Sequence, residues 1–503
     1  MSSGGLTEDT EAGLTPSTPR PPALRLHPLT ILVGAGRELT AALTAGTAAL
    51  LVGGAGAAFY FALTALGFTF CYHLAKWATF TYRVHADRIE LRRALVGRSV
   101  TTIPRERIRG VDISAPPAHR LLGLAVVHID AGAEGGEGEL RAVSRAEAER
   151  LREALLRGDA AGGRAAAEAE SAEGDGSEVL ARARPCWYLF APLGGAYLLT
   201  PFALVGSLLG ALYNLGGELD LIDDERLVRL GGDVAGLPPT ALLTAALVFA
   251  LAVPIISIIA FALFNWDFTL RYGQGGTVLV AERGLITRRS VTLERRRIRG
   301  VELTDHPLER AAGAARLNAL VTGLDDSAYR GSLLPAAPRT ATIRTAARVM
   351  GGRLPGPLLR HPPAARRRRL ARAVGPPLIL AVAAAVAGRE WALYPALAAT
   401  LLAVPLGLDR YRQLGHATDG VRLSVRSGSL RRRRVVVEHR AVVAWRLRQT
   451  LFQRRAGLAT LTVGVGAGDG AYSAVDMGEP EAIAFAREIT PEWVTPFLAK
   501  REP

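Results

Sequence analysis

The sequence predicts a multi-domain α+β membrane protein: six transmembrane helices in three hairpins, each hairpin followed by a small β-rich unit closed by a helix. Three features predict it. Positions 39–72 are a run of 34 residues without a charge. Two further apolar blocks follow, each succeeded by a stretch of short β-patterned runs. Short motifs then recur at matching places after each block, as internal repeats do.

The first apolar run would measure roughly 51 Å as one helix at about 1.5 Å per residue. The hydrocarbon core of a bilayer is about 30 Å thick, so two spans fit where one does not. Gly53, Gly54 and Gly56 stand at the midpoint, where a tight turn favours glycine. The expected hairpin is 37–76, with helices at 37–54 and 57–76 and Tyr72 and Trp77 at the interface. Ahead of it, Glu8, Asp9 and Glu11 take the place of a signal peptide's basic start, and prolines follow. Residues 1–27 read as a disordered tail.

Residues 79–157 alternate between β-rich runs and turns: Phe80 to Val84, Ile89 to Leu91, Ser99 to Ile103, Val111 to Ile113 and Ala125 to Ile129. Ser144 three positions before Glu147 is a capping-box spacing that opens a helix carrying Leu151, Leu155 and Leu156. Residues 158–184, rich in Gly, Ala and Glu, read as a linker. The second pair spans 187–264, as 187–213 and 238–264. Its loop holds Glu218, Asp220, Asp223, Asp224, Glu225 and Asp233 against Arg226 and Arg229. Arginines crowd the opposite ends, which places those ends in the cytoplasm. A second β-rich unit covers 267–350 and a basic linker 351–372. The third hairpin spans 373–408, as 373–388 and 391–408, and the third β-rich unit spans 411–490 with a helix from Glu481 to Ile489.

The repeats are specific. Ile108-Arg109-Gly110-Val111 returns as Ile298-Arg299-Gly300-Val301. Eleven residues past each arginine come Arg120-Leu121-Leu122-Gly123-Leu124-Ala125 and Arg310-Ala311-Ala312-Gly313-Ala314-Ala315, with Arg454-Arg455-Ala456-Gly457-Leu458-Ala459 in the third unit. Leu121, Leu122 and Leu124 are expected in the first unit's core. Trp77 and Trp266 each end a span and are followed by Phe80-Thr81 and Phe268-Thr269.

At the Trp77 to Arg83 entry, the Ile103-Pro104-Arg105-Glu106-Arg107-Ile108 turn and the Arg120 to Ala125 segment, the chain resembles the bacterial pleckstrin-homology-domain membrane proteins of the YdbT-like kind. The likeness covers about 27–490. It departs in the second unit, where Leu293 to Arg297 lacks the proline, and in the third, which keeps only Arg-x-x-Gly-Leu-Ala. The resemblance implies that each β-rich unit is a pleckstrin-homology-like β-sandwich capped by its helix. It brings no catalytic residues.

Hydrophobic residues make up 49% of the chain and the formal net charge is +15. Lys76 and Lys500 are the only lysines, so arginine carries the charge. Membrane spans in the same chain direct that charge toward an anionic membrane surface rather than nucleic acid. Cys71 and Cys186 suggest neither a disulfide framework nor a metal site. No cofactor is expected, no nucleophile has a recognisable flanking signature, and the chain is not read as an enzyme. Gly464 to Gly470 lacks phosphate-loop spacing and reads as a hairpin turn.

The arginine clusters are the clearest chemical feature: Arg92, Arg93 and Arg98; Arg105, Arg107 and Arg109; Arg288, Arg289 and Arg295 to Arg297. Two more are candidate anionic-lipid contacts, each charge near a bilayer being worth about 1 kcal/mol. They are Arg366, Arg367, Arg368 and Arg369 before the third hairpin, and Arg431, Arg432, Arg433 and Arg434 at a β-hairpin tip or its flank. The alternative for these clusters is that they only set topology and solubility. The sequence thus points to an integral scaffold of the bacterial cell membrane. Three cytoplasmic modules would meet lipid or a protein partner, such as a smaller membrane protein of the same kind, in envelope maintenance. The alternative is a transporter or envelope-stress component whose modules gate the spans.

Overall fold

The computed structural model describes residues 22–31, 33, 57–94, 98–108, 110–130, 137–156, 178–218, 236, 238–322 and 331–498. Most of the expected tail, the first helix of the first hairpin, most of the 158–184 linker and the acidic loop lie outside the described residues. Two compact units divide the chain, residues 1–161 and 162–503.

In the first unit, helix α1 (Ala57–Thr79) leads into three antiparallel strands, β1 (Thr81–Val84), β2 (Arg88–Arg93) and β3 (Ser99–Pro104). After β4 (Gly110–Ala115) comes a short helix α2 (Pro117–Leu121), then β5 (Leu124–Asp130) and β6 (Glu137–Ser144), with β5 paired to both neighbours. Apolar residues alternate along these strands, as one-sided burial requires. Tyr82, Ile89, Leu91 and Ile103 of the first three strands join Val111, Val127, Ile129 and Leu140 in one core. Helix α3 (Arg145–Leu156) closes it with Leu151 and Leu155. Its start is as expected, Glu147 N donating to Ser144 Oγ at 3.2 Å. Strand β6 has no counterpart in the sequence reading, because Glu137-Gly138-Glu139 hides its apolar alternation.

Two expectations fail here. The residues just before the first hairpin are partly structured: Leu24 bridges to Tyr82, and Leu26 is buried with its carbonyl accepting from Trp77 Nε1 at 2.9 Å. The leucines of the repeated segment also divide: Leu124 is 2% exposed, whereas Leu121 is 88% exposed on α2.

The second unit opens with β7 (Val179–Arg182), inside the stretch read as linker, which pairs with β8 (Thr269–Gly273). The expected helix 187–213 is instead a 3-10 segment, Pro185–Leu193, followed by helix α4 (Gly195–Glu218). Pro192 supplies no backbone donor there. Helix α5 (Pro239–Asn265) returns to β8, β9 (Val278–Arg283) and β10 (Arg288–Glu294). Then follow β11 (Ile298–Asp305), α6 (Pro307–Ala311), β12 (Ala314–Val321), β13 (Ser332–Pro338) and the closing helix α7 (Arg339–Val349). This second module thus repeats the first.

Helix α8 (Pro363–Val386) begins ten residues earlier than expected and carries Arg366 to Arg369 in its first turns. It packs on α9 (Glu390–Arg412), and small residues allow the approach. A Cβ on Gly407 would lie 3.2 Å from both Leu370 Cα and Ala373 Cβ. The third module then runs β14 (Gly415–Thr418), β15 (Arg422–Ser427), β16 (Arg432–Glu438), β17 (Val442–Arg448), α10 (Leu451–Arg455), β18 (Leu458–Val465), β19 (Ala471–Gly478) and α11 (Glu479–Ile489). Gly464 to Gly470 is the β18–β19 hairpin, as expected.

Modules two and three share a sheet. Strand β11 pairs antiparallel with β16 from Gly300↔Val437 to Asp305↔Arg432, making six strands in the order β13-β12-β11-β16-β15-β14. Val436 of β16 packs into the second module's core, while Val435 and Val437 pack into the third's.

Among the described residues four helices, not six, are long and apolar enough to cross a membrane, through Tyr197–Asn214, Pro239–Asn265, Pro363–Val386 and Glu390–Arg412. Of the first expected pair, 37–54 lies outside the described residues and α1 is not among these four.

Candidate site at the basic ends of the apolar helices

Each run of four arginines is divided by the fold into internal and exposed members. Arg368 and Arg369 both donate to Asp476 on β19, the latter from Nε at 2.7 Å. Asp476 is fully buried and also accepts from Gln453 Nε2 at 2.8 Å. Arg368 further reaches Thr450 Oγ1 at 3.4 Å. Arg366 and Arg367 on the same helical turns are exposed.

The second run begins in the β15–β16 turn and continues along β16. Arg432 is buried, donating to Asp305 Oδ2 from Nε at 3.1 Å and to Gln413 Oε1 from Nη1 at 3.0 Å. Arg433 donates from Nη2 to Glu302 Oε2 at 3.0 Å and to Asp469 Oδ2 at 2.6 Å, and the bond to Glu302 holds its pKa above the ordinary arginine range. Arg434 meets Ser424 Oγ at 3.1 Å and the carbonyl of Pro355. Burial, with Arg426, Arg339 and Arg432 nearby, pushes its pKa down to about 10. Three of the four therefore fasten module three to its surroundings. Arg431, at the tip beside exposed Leu430, is the exposed one.

Arg431 borders a cavity of about 560 Å3 where α4 and α5 meet the second module. Arg283 at the end of β9, Arg289 on β10 and Arg316 on β12 complete a basic wall. Arg283 and Arg289 are direct cross-strand partners. Arg316 is braced from behind by Glu309, fully buried, through bonds of 2.9 and 2.7 Å to Oε1. Its guanidinium passes under the entry to α4 because residue 194 is glycine: a Cβ there would stand 1.8 Å from Arg316 Nη2. Asn265 and Tyr197 form the helix-side wall, Asn265 Nδ2 donating to Tyr197 Oη and to the Phe261 carbonyl, both at 3.1 Å. No carboxylate lines the cavity among the described residues.

The β9–β10 tip sits against the end of α5: Gly284 N donates to the Trp266 carbonyl and Leu285 N to that of Leu263, both at 2.9 Å. Leu285 and Ile286 are exposed at that level. Sequence reasoning singled out Arg289 and Arg431 but not Arg283 or Arg316, which four separate elements bring together. The arginine pair flanking Gly284-Leu285-Ile286-Thr287 was the available signal.

A smaller cavity of about 380 Å3 lies at the foot of α8 and α9, lined by Arg360, Arg366, Arg412, Tyr411 and His361. Behind it His361 Nδ1 sits 2.9 Å from the Val475 carbonyl, and its Nε2 is 3.3 Å from His416 Nδ1. Burial first, and then His361, pushes the His416 pKa down to about 4. Among the described residues no group of His, Cys, Asp and Glu could hold a metal.

No curated protein and no solved structure matches the chain. The Bacterial PH domain family model matches it three times, over residues 38–159, 226–348 and 371–492. Those matches take in each sandwich together with helix ahead of it, and cover well over half of the sequence. The chain belongs to the bacterial PH domain family, with three copies of the domain in one polypeptide.

Proposed function

We propose that this protein is a multi-pass scaffold of the cell membrane that holds three PH modules against the inner leaflet, where they engage anionic lipid and protein partners without catalysing a reaction. The observation that carries the reading is the clamp of Arg368 and Arg369 on Asp476. It fixes module three to the first turns of an apolar helix, so the module rides at that helix's basic end. Basic span ends favour the cytoplasm, which puts the module on the same side. The exposed members of the two arginine runs, Arg366, Arg367 and Arg431, are the candidate head-group contacts. Contacts at Arg368, Arg369 and Arg432 to Arg434 are internal and serve assembly.

Topology tests the reading. Cys71 and Cys186 are exposed and are first replaced by serine. Single cysteines at Asp223 and at Ala387, in the turn between α8 and α9, should then react with an impermeant thiol reagent in intact cells. A cysteine at Arg455 on module three should react only after permeabilisation. Labelling at 455 in intact cells, or protection at 223 and 387, overturns the cytoplasmic assignment.

A further inference from the structure

Leu451 and Phe452 stand side by side on α10 and are 79% and 75% exposed. Single exposed apolar residues are ordinary, but this pair is held at a particular level. Successive helical positions differ by about 100°, so Thr450 and Gln453 share one face of the turn while Leu451 and Phe452 take the other. The first face is fastened to the start of α8. Arg368 reaches Thr450 Oγ1 at 3.4 Å, and Asp476, clamped by Arg368 and Arg369, accepts from Gln453 Nε2 at 2.8 Å. Behind the turn, Leu458 packs against Ala365 of α8 and Leu414 just after α9. Arg372 is the last charged residue before the apolar part of α8. It stands four positions past Arg368, roughly 6 Å along the helix, which is about the thickness of one head-group layer.

Module two repeats the arrangement on the neighbouring helix. Leu308 on α6 is exposed, and Arg310 on the same turn donates to Asp409 Oδ2 at 3.1 Å. Asp409 is the first charged residue after the apolar part of α9. The start of α8 and the close of α9 meet at Leu370 and Gly407, so both tips lie at the same end of the α8–α9 pair. We infer that α6 and α10 are wedges that seat modules two and three in the cytoplasmic leaflet, with Leu308, Leu451 and Phe452 in the boundary between head groups and acyl chains. That boundary takes the exposed apolar surface out of water. Arg454 and Arg455, exposed at the end of the same turn, reach anionic head groups from it. The inference rests on the membrane reading given above.

The test uses the full chain with Cys71 and Cys186 replaced by serine, reconstituted in vesicles of phosphatidylglycerol and phosphatidylcholine. Phe452→Cys and, separately, Leu308→Cys carry a bimane fluorophore. Doxyl groups placed high on the lipid chains should quench both probes. Iodide on both sides of the membrane should quench them about fivefold less than it quenches bimane-glutathione, as burial about 5–10 Å into the boundary requires. Leu451→Ser beside the labelled Phe452→Cys should weaken the doxyl quenching. An unchanged melting temperature in detergent verifies that these exposed substitutions keep the fold. Iodide quenching equal to that of the free conjugate at either position, or no quenching there by doxyl lipid, overturns the inference. Carbonate extraction separates the two readings. A chain retained in extracted vesicles whose probes stay open to iodide defeats this inference alone, whereas a chain released by carbonate defeats the membrane reading.

Discussion

Gly123 turns the chain from α2 into β5 with φ of 68°, and Gly313 and Gly457 make the same turn with φ of 68° and 62°. A side chain is strained in that conformation, which accounts for the glycine in all three repeats. The turn also decides which neighbouring leucines meet the core. Leu124 follows it and enters the strand; Leu121 precedes it on one turn of helix and faces outward. Leu308, Leu451 and Phe452 on the equivalent helices are likewise exposed. Leu124→Ala should therefore cost about 2–5 kcal/mol, as buried large-to-small changes do, while Leu121→Ala should stay within about 0.5 kcal/mol. Thermal melts of the two variants check the contrast, and equal losses would refute it. The repeat made the glycine legible. The orientation of the leucines was not, since a five-residue helix has too few positions for an apolar face to show in its period.

At the level of elements, five strands of the first module and the closing helices of the first and third modules were legible because each buries one face and so alternates or recurs every three to four residues. The shared sheet was not legible. Its signal lies in the pairing of β11 with β16, whose residues stand more than a hundred positions apart. Glu302 and Asp305 on β11 answer Arg433 and Arg432 on β16, and Gly300 lets the strands close. A Cβ on Gly300 would meet the Val436 carbonyl at 2.4 Å and Val437 Cα at 3.2 Å, both backbone atoms that cannot swing aside. Along the corresponding strand of module three, β17, the repeat puts Ala444 in place of that glycine, Arg446 in place of Glu302 and Gln449 in place of Asp305. Strand β17 pairs only with β18 among the described residues, and charge on such an edge resists stray pairing. Gly300→Val should then loosen the joint at a cost of about 1–3 kcal/mol or more. The expected readout is faster amide exchange along β16 with that of β18 and β19 unchanged; protection of β16 equal to wild type would contradict the account.

Over the whole molecule, apolar blocks showed where helices run, but not what the arginines beside them do. Charge runs read in one dimension look solvated. In the fold, five of the eight candidate lipid contacts turn to carboxylates, a side-chain hydroxyl or a backbone carbonyl, because three-dimensional packing brings Asp305, Glu302 and Asp476 to them from distant strands. Asp476 shows how far this coupling reaches. It sits on β19 with φ of 60° and no solvent exposure, holding two arginines from the first turns of α8. Removing one partner from a buried ion cluster costs about 3–5 kcal/mol, since the remaining charges stay desolvated. Asn tolerates the left-handed conformation, so Asp476→Asn removes the charge and leaves the backbone in place. The variant should release module three from the start of α8 and open Arg368 and Arg369 to trypsin in native membranes, giving a membrane-retained fragment that begins at 369 or 370 and contains 411–490. Arg367→Ala, at an exposed position on the same turn, should leave the digestion pattern as in wild type. If Asp476→Asn resists trypsin as well as the wild-type chain does, the clamp is not what holds module three to its helix.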